Sequence, residues 1–525
     1  MKQENKPVHG MWANRWVFIL AATGSAVGLG NIWRFPYITG ENGGGAFVLL
    51  YLACIAIVGV PIMAAEVMMG RKGGMSPINS MRKLAADSKV SQRWAGIGHM
   101  GVLSAFLILS FYSVVASWAL YYVWEAIVGG FQGITAEQSG ARFEALLADP
   151  WLMMGCHTLF MVLTMFVVGR GVKGGLEKAV EILMPLLFVL LLVLVGYAAT
   201  TPGFKQGLAF LFAFDFSKLN GGVVITAVGQ AFFTLSLGMG AIMAYGAYMP
   251  RETSGKKGGK PKPVSIMSTV IIIALLDTLV ALGSGVAMFP LIFSNGLEVG
   301  QGPGMMFVTL PLAFGQMPGG MIFGTLFFVL VVSAAWSSSI SLGEPVVAWL
   351  VERGFSRGKA AAVVGLGAWL LGIGSVLSFN LWKDKTFLVG TFFENVEFLS
   401  ITVMLPLGGV LIAIFAGWVM KETHARKELA MKSFPLYLVW RALVRIFSPA
   451  AVIALFAYTL WQMAVPEDAE AAPEPAAQEQ VEEAPAAEAA EAAEVIEAVE
   501  QAQGEADVPA VPEPESDVPV VPEAQ

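Results

Sequence analysis

Oxygen-bearing and flexible residues interrupt several long apolar stretches of this 525-residue chain, where polar groups are costly to bury. The run 24–31 (GSAVGLGN) brings three glycines and Asn31 to the middle of one stretch, and the run 234–240 (TLSLGMG) interrupts another. Asp277 and the serine run 337–339 lie inside two more. Hydroxyl, amide and carboxylate oxygens without clusters of cysteine or histidine suit a hard cation, and not zinc or copper.

The two glycine-containing runs matter as a pair. Glycine weakens a helix by about 1 kcal/mol and lets the backbone approach a ligand closely. Either run alone fits close helix packing equally well, since small residues are common where membrane helices meet. The runs fall in the first and sixth apolar stretches, which are five spans apart and oppositely oriented. This spacing predicts two inverted repeats with a site at their broken helices, where unwound carbonyls can bind a cation.

The elements that must position these residues are membrane-spanning helices. The chain is 56% hydrophobic and 14% charged, which is too apolar for a soluble protein. A spanning helix needs roughly 20 apolar residues, whereas the strands of a membrane barrel are short and alternate in polarity. We therefore expect an all-α membrane protein with eleven transmembrane helices. The predicted spans cover approximately residues 15–40, 46–69, 97–128, 151–169, 179–199, 221–249, 265–293, 320–352, 360–380, 396–420 and 437–464.

Lysine and arginine are distributed unevenly over the loops between these spans. Every second loop is rich in both, whereas the loop 294–318 contains neither. Because basic residues concentrate on the cytoplasmic side, we expect a cytoplasmic amino-terminal segment 1–14 and a carboxyl terminus outside the cytoplasm. The transporter domain would then comprise residues 15–464, with inverted repeats at about 15–200 and 221–420 and an eleventh helix at about 437–464.

The segment 465–525 differs from the rest of the chain in composition. From Pro466 onward it has 18 acidic residues and no lysine or arginine, so the remainder carries +11 against −7 for the whole chain. High charge, many prolines and few aromatic residues predict a disordered acidic tail. We expect it to act as a solvated spacer or tether.

Several ordered motifs carry a family likeness. They are WANR at 12–15, SAVGLGN at 25–31, WRFP at 33–36, ENGGGAF at 41–47, the segment from Pro61 to Arg71, GQAFFTLSLGMGA at 229–241 and the serine run at 337–339. Over roughly residues 9–464 the chain resembles the neurotransmitter:sodium symporters, particularly the bacterial leucine-transporter branch. The resemblance implies two inverted five-helix repeats with broken helices 1 and 6, here without a twelfth helix. It also implies sodium-coupled uptake of an amino acid by alternating access, in the bacterial inner membrane.

The resemblance further implies two sodium sites. The first would use the Ala26 carbonyl, the side chains of Asn31 and Asp277, Thr234 through its carbonyl and hydroxyl, and the substrate carboxylate. The second would use oxygens from two segments. These are the carbonyls of Gly24, Val27 and Ala334 and the hydroxyls of Ser337 and Ser338. A substrate that supplies one sodium ligand couples its own binding to that of the ion.

The family also implies where the substrate lies. Its carboxylate would meet the Tyr112 hydroxyl and the backbone amides near Leu29 and Gly30. Its ammonium group would meet the carbonyls of Ala26, Phe233 and Thr234, with Ser236 nearby. The side-chain pocket would be formed by Ile108, Tyr112, Phe233, Ser236, Met239, Ser338 and Leu342. Monoamine transporters of the family place an aspartate where this chain has Gly28, and glycine leaves room for a substrate carboxylate; this favours an amino acid.

Gates are expected on both sides of the pocket. Arg34 and Glu397 match the outer, water-bridged pair of the family. At the inner gate Glu352 and Tyr248 fit the family pattern, but His9 stands where an arginine is expected, and neutral histidine cannot hold a carboxylate as arginine does. Lys6 or Arg15 are the candidate replacements for that arginine.

Two further expectations concern specificity. Met239 stands where the leucine transporter has phenylalanine, and methionine reshapes readily around a ligand, so a medium to large hydrophobic amino acid is expected, with aromatic ones included. Ser236, Ser338 and Ser341 leave some space and polarity. Chloride-dependent relatives bind the anion partly through a serine where this chain has Ala281, whereas Asp277 supplies a fixed carboxylate one turn earlier. We therefore expect no chloride requirement.

Alternatives of other classes remain. One alternative is an amino-acid sensor on the same fold, which would bind without moving solute, and another is a symporter for a different amino-acid-like solute. A channel lacks a pore loop or a charged selectivity ring in the sequence, and no nucleophile–base pair or metal cluster suggests an enzyme. The expected partners are a small amino acid and the lipid bilayer, with no nucleic acid; the sequence does not predict the oligomeric state.

Overall fold

The computed structural model describes residues 10–253, 262–299, 302–431 and 433–464. These residues are almost entirely helical. The helices are α1 Arg15–Ala26, α2 Gly30–Glu41, α3 Gly45–Gly73, α4 Pro77–Ser88, α5 Gln92–Ile127, α6 Ala136–Ala148, α7 Pro150–Gly169, α8 Val172–Ala198, α9 Phe204–Phe212, α10 Gly221–Thr234, α11 Ala241–Ala247, α12 Ile266–Ser294, α13 Leu310–Gln316, α14 Gly320–Glu352, α15 Arg357–Ser378, α16 Phe392–Val419, α17 Glu422–Leu429 and α18 Phe434–Gln462. A short antiparallel hairpin pairs β1 Glu252–Thr253 with β2 Lys262–Pro263.

Judged by length and composition, the described residues contain fewer membrane-spanning helices than the eleven predicted from the sequence. Nine helices of the described chain are long and apolar enough to cross a membrane, and the bent pair α1–α2 raises the number to ten. The predicted span 221–249 does not meet the criterion because it consists of two short helices, α10 and α11. An eleven-helix count and the inverted repeats therefore remain predictions. The segment 1–9 and the tail 465–525 lie outside the described residues.

The first break follows from local sequence. Asn14 begins α1, because its side chain accepts hydrogen bonds from the backbone amides of Trp16 and Val17, which satisfies donors that a helix start leaves unpaired. The helix ends at Ala26, and Val27 is extended at φ −69° and ψ 110°. The chain then re-enters a helix with a 67° bend between α1 and α2. The last carbonyls of α1 are consequently released from helical hydrogen bonding.

The second break, between α10 and α11, depends on left-handed backbone conformations. Gly238 and Gly240 have φ values of +83° and +74°, which glycine adopts without steric cost. Ser236 has φ +53°, a conformation that costs about 1–2 kcal/mol for a residue with a side chain. Both broken segments are packed inside the bundle, since α1 contacts α12 and α14, and α11 packs against α3 and α14.

Candidate functional site

The first cluster of oxygen atoms joins the two breaks to α12. The Asn31 side-chain amide donates to the Thr234 hydroxyl at 2.9 Å and to Asp277 Oδ1 at 2.8 Å. The Thr234 hydroxyl donates to Asp277 Oδ2 at 2.7 Å, and Asn31 Oδ1 accepts from the Gly28 amide at 3.0 Å. All three side chains are buried. Three residues far apart in sequence thus form one oxygen-rich cluster.

The second cluster lies where α14 passes the end of α1. The Ser338 hydroxyl is 2.8 Å from the Val27 carbonyl and 3.3 Å from that of Gly24. The Ser337 hydroxyl donates to the Ala334 carbonyl at 2.9 Å. A Cβ atom at Gly24 would lie only 3.2 Å from Ser337 Cβ, so glycine allows this close approach. The five residues predicted for a second sodium site therefore come together.

A buried carboxylate braces the second break. Glu66 on α3 is fully buried, and its Oε1 accepts from the Gly238 amide at 2.7 Å. A Cβ at Gly238 would meet the Leu405 carbonyl oxygen at 2.5 Å, so α16 fits against this segment only because the side chain is absent. In the sequence, Glu66 is an acidic residue near the end of an apolar span, and such a residue usually has a functional or structural partner.

A cavity of about 640 Å³ adjoins both clusters. All of the predicted substrate residues line it. They are Ala26, Gly28, Leu29, Gly30, Ile108, Tyr112, Phe233, Thr234, Ser236, Met239, Ser338 and Leu342. Asn31 lines it as well, so Asn31 and Thr234 face both the cavity and the first oxygen cluster.

The position of Gly28 controls the space at one wall of the cavity. A Cβ atom there would lie 3.2 Å from Ser338 Oγ and 3.3 Å from the Tyr112 hydroxyl oxygen. The Tyr112 hydroxyl is buried and has no hydrogen-bond partner among the described residues. Glycine therefore leaves a small volume beside an available phenolic hydroxyl, and a longer side chain at this position would fill it.

The pocket serines are less available as donors than their positions in the sequence suggest. The hydroxyl of Ser236 donates to the Ser25 carbonyl at 2.8 Å, and that of Ser341 donates to the Ser338 carbonyl at 2.7 Å. Ser338 itself is directed to the carbonyls of the second cluster. These hydroxyls retain lone pairs that can accept a hydrogen bond. Around the side-chain end of the cavity, Ile108, Met239 and Leu342 supply an apolar lining.

The cavity continues toward Arg34 and Glu397, which both line its mouth. Within the described part of the chain they form no direct ion pair, and the Arg34 guanidinium carbon lies 5.7 Å from the centre of the Phe233 ring. The sequence did not single out the aromatic wall between pocket and mouth, because aromatic residues in spans are usually packing residues. This wall comprises Trp33, Phe111, Trp118, Phe379, Phe393 and Phe398.

On the opposite side of the cavity, the predicted gate residues have additional partners. The Tyr248 hydroxyl donates to Glu344 Oε1 at 2.7 Å, and Glu344, which is fully buried, forms an ion pair with Arg357. The sequence analysis did not single out Glu344, although an acidic residue within an apolar span was the available signal. Trp12 covers this side, because its amide and indole N–H donate to the carbonyls of Tyr248 and Tyr245.

The predicted gate carboxylate Glu352 lies at the end of α14. It accepts from the Ser76 amide and the Asn79 side chain, each at 2.6 Å. Arg15, a candidate partner, instead donates to the hydroxyls of Thr269 and Ser268 at 2.8 and 2.9 Å. The other two candidates, Lys6 and His9, lie outside the described residues.

Two oxygen clusters at helix breaks, beside a cavity within a membrane-spanning bundle, define a cation-coupled solute carrier. The chain belongs to the sodium:neurotransmitter symporter family, which it matches over residues 9–133 and 137–478. Members of this sodium-dependent family are transporters and not enzymes.

The alignments with two bacterial relatives cover nearly the whole length of those relatives. The chain is 35% identical to the uncharacterised sodium-dependent transporter YhdH of Bacillus subtilis, over 86% of this chain and 98% of the relative. It is 31% identical to an uncharacterised sodium-dependent transporter of Haemophilus influenzae, with the same coverage. Among solved structures it is similar to MhsT in complex with L-phenylalanine, at 43% identity and a TM-score of 0.76, covering 85% of this chain and 99% of that one.

Proposed function

We propose that this protein takes up a hydrophobic or aromatic amino acid by alternating access, driven by sodium at two sites and without a chloride requirement. One observation carries the proposal: Asn31 and Thr234 belong to the first oxygen cluster and also line the cavity. A carboxylate in the cavity next to these residues would share the sodium ion with them. Binding of substrate and ion would then be coupled, and the coupling would be reciprocal.

The amino-acid end of the substrate would occupy the space beside Gly28. Its carboxylate would accept from the Tyr112 hydroxyl and from the backbone amides near Leu29 and Gly30. The ammonium group would donate to the carbonyls of Ala26 and Thr234, which the helix breaks leave free. This orientation is supported by the buried Tyr112 hydroxyl without a described partner, since a buried polar group is normally hydrogen-bonded.

The side chain of the substrate would point toward Ile108, Met239 and Leu342. The solved structure of the relative MhsT in complex with L-phenylalanine supports a large hydrophobic side chain. Because the pocket serines already donate to backbone carbonyls, a substrate hydroxyl or indole N–H would have only acceptors to meet. Phenylalanine and leucine should bind well, and tyrosine and tryptophan should also be accepted.

Sodium would bind at two places. The first site would combine Asn31, Thr234, Asp277, the Ala26 carbonyl and the substrate; the second would combine Gly24, Val27, Ala334, Ser337 and Ser338. Five or six oxygens of this kind can replace the water around a hard cation. Asp277 would provide the negative charge that chloride provides in chloride-dependent relatives.

The proposed orientation places the amino terminus in the cytoplasm of a bacterium and the carboxyl terminus outside the inner membrane. Arg34 and Glu397 would then guard the outer mouth. On the inner side, Trp12, Tyr248 and the Glu344–Arg357 pair would have to separate for release, together with Glu352.

Uptake into proteoliposomes tests this proposal. Labelled L-phenylalanine should accumulate with an inward sodium gradient, should not accumulate with a potassium gradient, and should leak out when a sodium ionophore is added. A sensor would bind the ligand in sodium but would not concentrate it inside the vesicles. Competition by glycine or glutamate stronger than that by leucine, phenylalanine, tyrosine and tryptophan would contradict the assigned substrate class.

A further inference from the structure

A second cavity lies between α7 and α15, separate from the central one. It measures about 360 Å³, within the range of roughly 300–1,000 Å³ typical of small-molecule sites. Gly365 lets α15 approach α7 closely here, because a Cβ at this position would lie 2.6 Å from Met165 Cγ. At its deep end the Trp369 indole N–H donates to the Thr158 hydroxyl at 2.9 Å, which fixes the ring. The lining is otherwise apolar, and Ala362 at its edge is exposed.

Exposed cations lie beyond the shallow end of this groove. Arg170 follows the last residue of α7, eight positions after the lining residue Val162, and its guanidinium stacks on Phe166 at 3.9 Å. Lys359, in the first turn of α15, is three and seven positions before the lining residues Ala362 and Leu366. Residues at these spacings share a helix face, so both cations extend the walls of the groove.

The two helix ends are in contact, which brings these charges together. A Cβ at Gly169 would lie 3.3 Å from Ala361 Cβ. Two more exposed cations are close in sequence, Lys173 in the first turn of α8 and Arg353 between α14 and α15. Within the described part of the chain none of the four exposed cations forms an ion pair.

The carboxylates on this side are engaged elsewhere. Glu344 pairs with Arg357, Glu352 accepts from Ser76 and Asn79, and Glu177 accepts from the Ala13 amide at 3.2 Å. The groove therefore joins an apolar channel to a region of excess positive charge.

We propose that this groove binds one anionic phospholipid, with its phosphate at Arg170 and Lys359 and one acyl chain between α7 and α15. Basic residues at the end of a cleft between membrane helices are the usual recognition device for anionic headgroups. A second copy of the chain is a poorer occupant, because a two-fold interface would place the same four cations opposite each other. The site is independent of the sodium and substrate sites proposed above.

Native mass spectrometry of the purified full-length protein tests the proposal. The delipidated protein is supplied with phosphatidylglycerol or with phosphatidylcholine of identical acyl chains. Wild type should retain one phosphatidylglycerol per chain and release phosphatidylcholine. Lys359→Gln and Arg170→Gln should each reduce retention about fivefold, the equivalent of ~1 kcal/mol per basic residue. Ala362→Trp should abolish retention by filling the groove.

Matched controls separate the groove from general membrane effects. Val363→Trp adds the same ring at the next, exposed residue of α15, which does not line the groove, and Lys427→Gln removes an exposed cation on α17. Both should retain the lipid as wild type does, and amino-acid uptake by Ala362→Trp should show that the variant is folded. Equal retention of the two lipids, or full retention by Ala362→Trp, would overturn the proposal. The proposal would also be overturned if Ala362→Trp disrupted an oligomer of the protein but still retained the lipid.

Discussion

Replacing Asp277 by asparagine tests how the first oxygen cluster holds its ion. The substitution removes one negative charge and keeps the size of the side chain. In the structure Oδ1 accepts from the Asn31 amide at 2.8 Å and Oδ2 accepts from the Thr234 hydroxyl at 2.7 Å. An asparagine whose oxygen faces Asn31 would turn its NH₂ group toward Thr234, so that hydroxyl must change from donor to acceptor. The cluster should keep its shape and lose its charge.

The expected change in the sodium requirement of Asp277→Asn follows from two opposing electrostatic contributions. Two unit charges 4 Å apart interact by about 4 kcal/mol at an effective dielectric constant of 20. Burying the carboxylate itself costs several kcal/mol of lost hydration, so only part of the attraction is a net gain. We expect the Asp277→Asn variant to need about 10- to 100-fold more sodium for half-maximal uptake, which corresponds to ~1.4–2.8 kcal/mol.

The assay is uptake as a function of sodium concentration, in chloride and after complete replacement of chloride by gluconate. Wild type should be indifferent to the anion, and Asp277→Asn should be impaired in both media. Asp215→Asn is the matched control, because this carboxylate lies in an exposed loop where it accepts from the Ser217 amide. An unchanged sodium requirement in Asp277→Asn would refute the assigned role of the charge.

If uptake by the wild-type protein stopped when gluconate replaced chloride, chloride independence would be contradicted directly. In that case two buried side chains near the first cluster would be candidates to hold the anion. The Tyr51 hydroxyl and the Gln230 side-chain amide are buried, and neither has a hydrogen-bond partner in the described part of the chain. Gln230 lies one helical turn before Thr234, so these donors are candidates for a site beside the first cluster.

Three further substitutions test other parts of the site. Gly28→Ala should raise the substrate concentration for half-maximal uptake about tenfold, as expected for ~1.4 kcal/mol of overpacking; Gly196→Ala, where a Cβ meets no atom within 4 Å, should leave uptake unchanged. Ser338→Ala should raise the sodium requirement about tenfold, since a hydroxyl–ion contact contributes roughly 1.5–3 kcal/mol, whereas Ser339→Ala, whose hydroxyl donates to another carbonyl of α14, should not. Glu344→Gln should destabilise the protein by about 3 kcal/mol, because it leaves the mostly buried guanidinium of Arg357 without its anion; an unchanged midpoint of thermal unfolding in detergent would contradict this.

The substrate residues that the family resemblance implies all line the cavity. Glycines at fixed places in a motif report where the backbone must approach a neighbour, and that requirement is local. Gly24 and Gly28 illustrate this, since added Cβ atoms would approach Ser337 and Ser338 on α14. The resemblance added the long-range partner in each case, which spacing alone does not supply.

The parts that sequence did not predict depend on packing across the bundle. In the sequence Glu344 and Glu352 look alike, as acidic residues in or at the end of one apolar span. Only the fold shows that Glu344 accepts from the Tyr248 hydroxyl and pairs with Arg357. The span 221–249 is interrupted at the run 234–240, as predicted, but its two halves are too short to meet the length criterion for a spanning helix. Left-handed backbone at three positions divides it, and hydropathy does not report backbone conformation.

Hydroxyl groups connect the two helix breaks to each other and to α14. The Ser236 hydroxyl donates to the Ser25 carbonyl, and the Ser25 hydroxyl donates to that of Ser341, each at 2.8 Å. The Ser338 hydroxyl reaches the Val27 carbonyl at the same distance. The left-handed conformation of Ser236 costs about 1–2 kcal/mol, which is comparable to what its hydrogen bond in a buried setting returns.

These links have a mechanical consequence for transport. The Val27 and Gly24 carbonyls that the Ser338 hydroxyl contacts are among the groups that would hold the second sodium ion. An ion at that site would therefore compete with, or replace, hydrogen bonds that tie α1 to α14. Loss of the ion would change how firmly α1 is held against α14, and α1 begins next to Trp12, which covers the inner side. If sodium binds there as proposed, its occupancy and opening on the inner side would be connected through the end of a single helix.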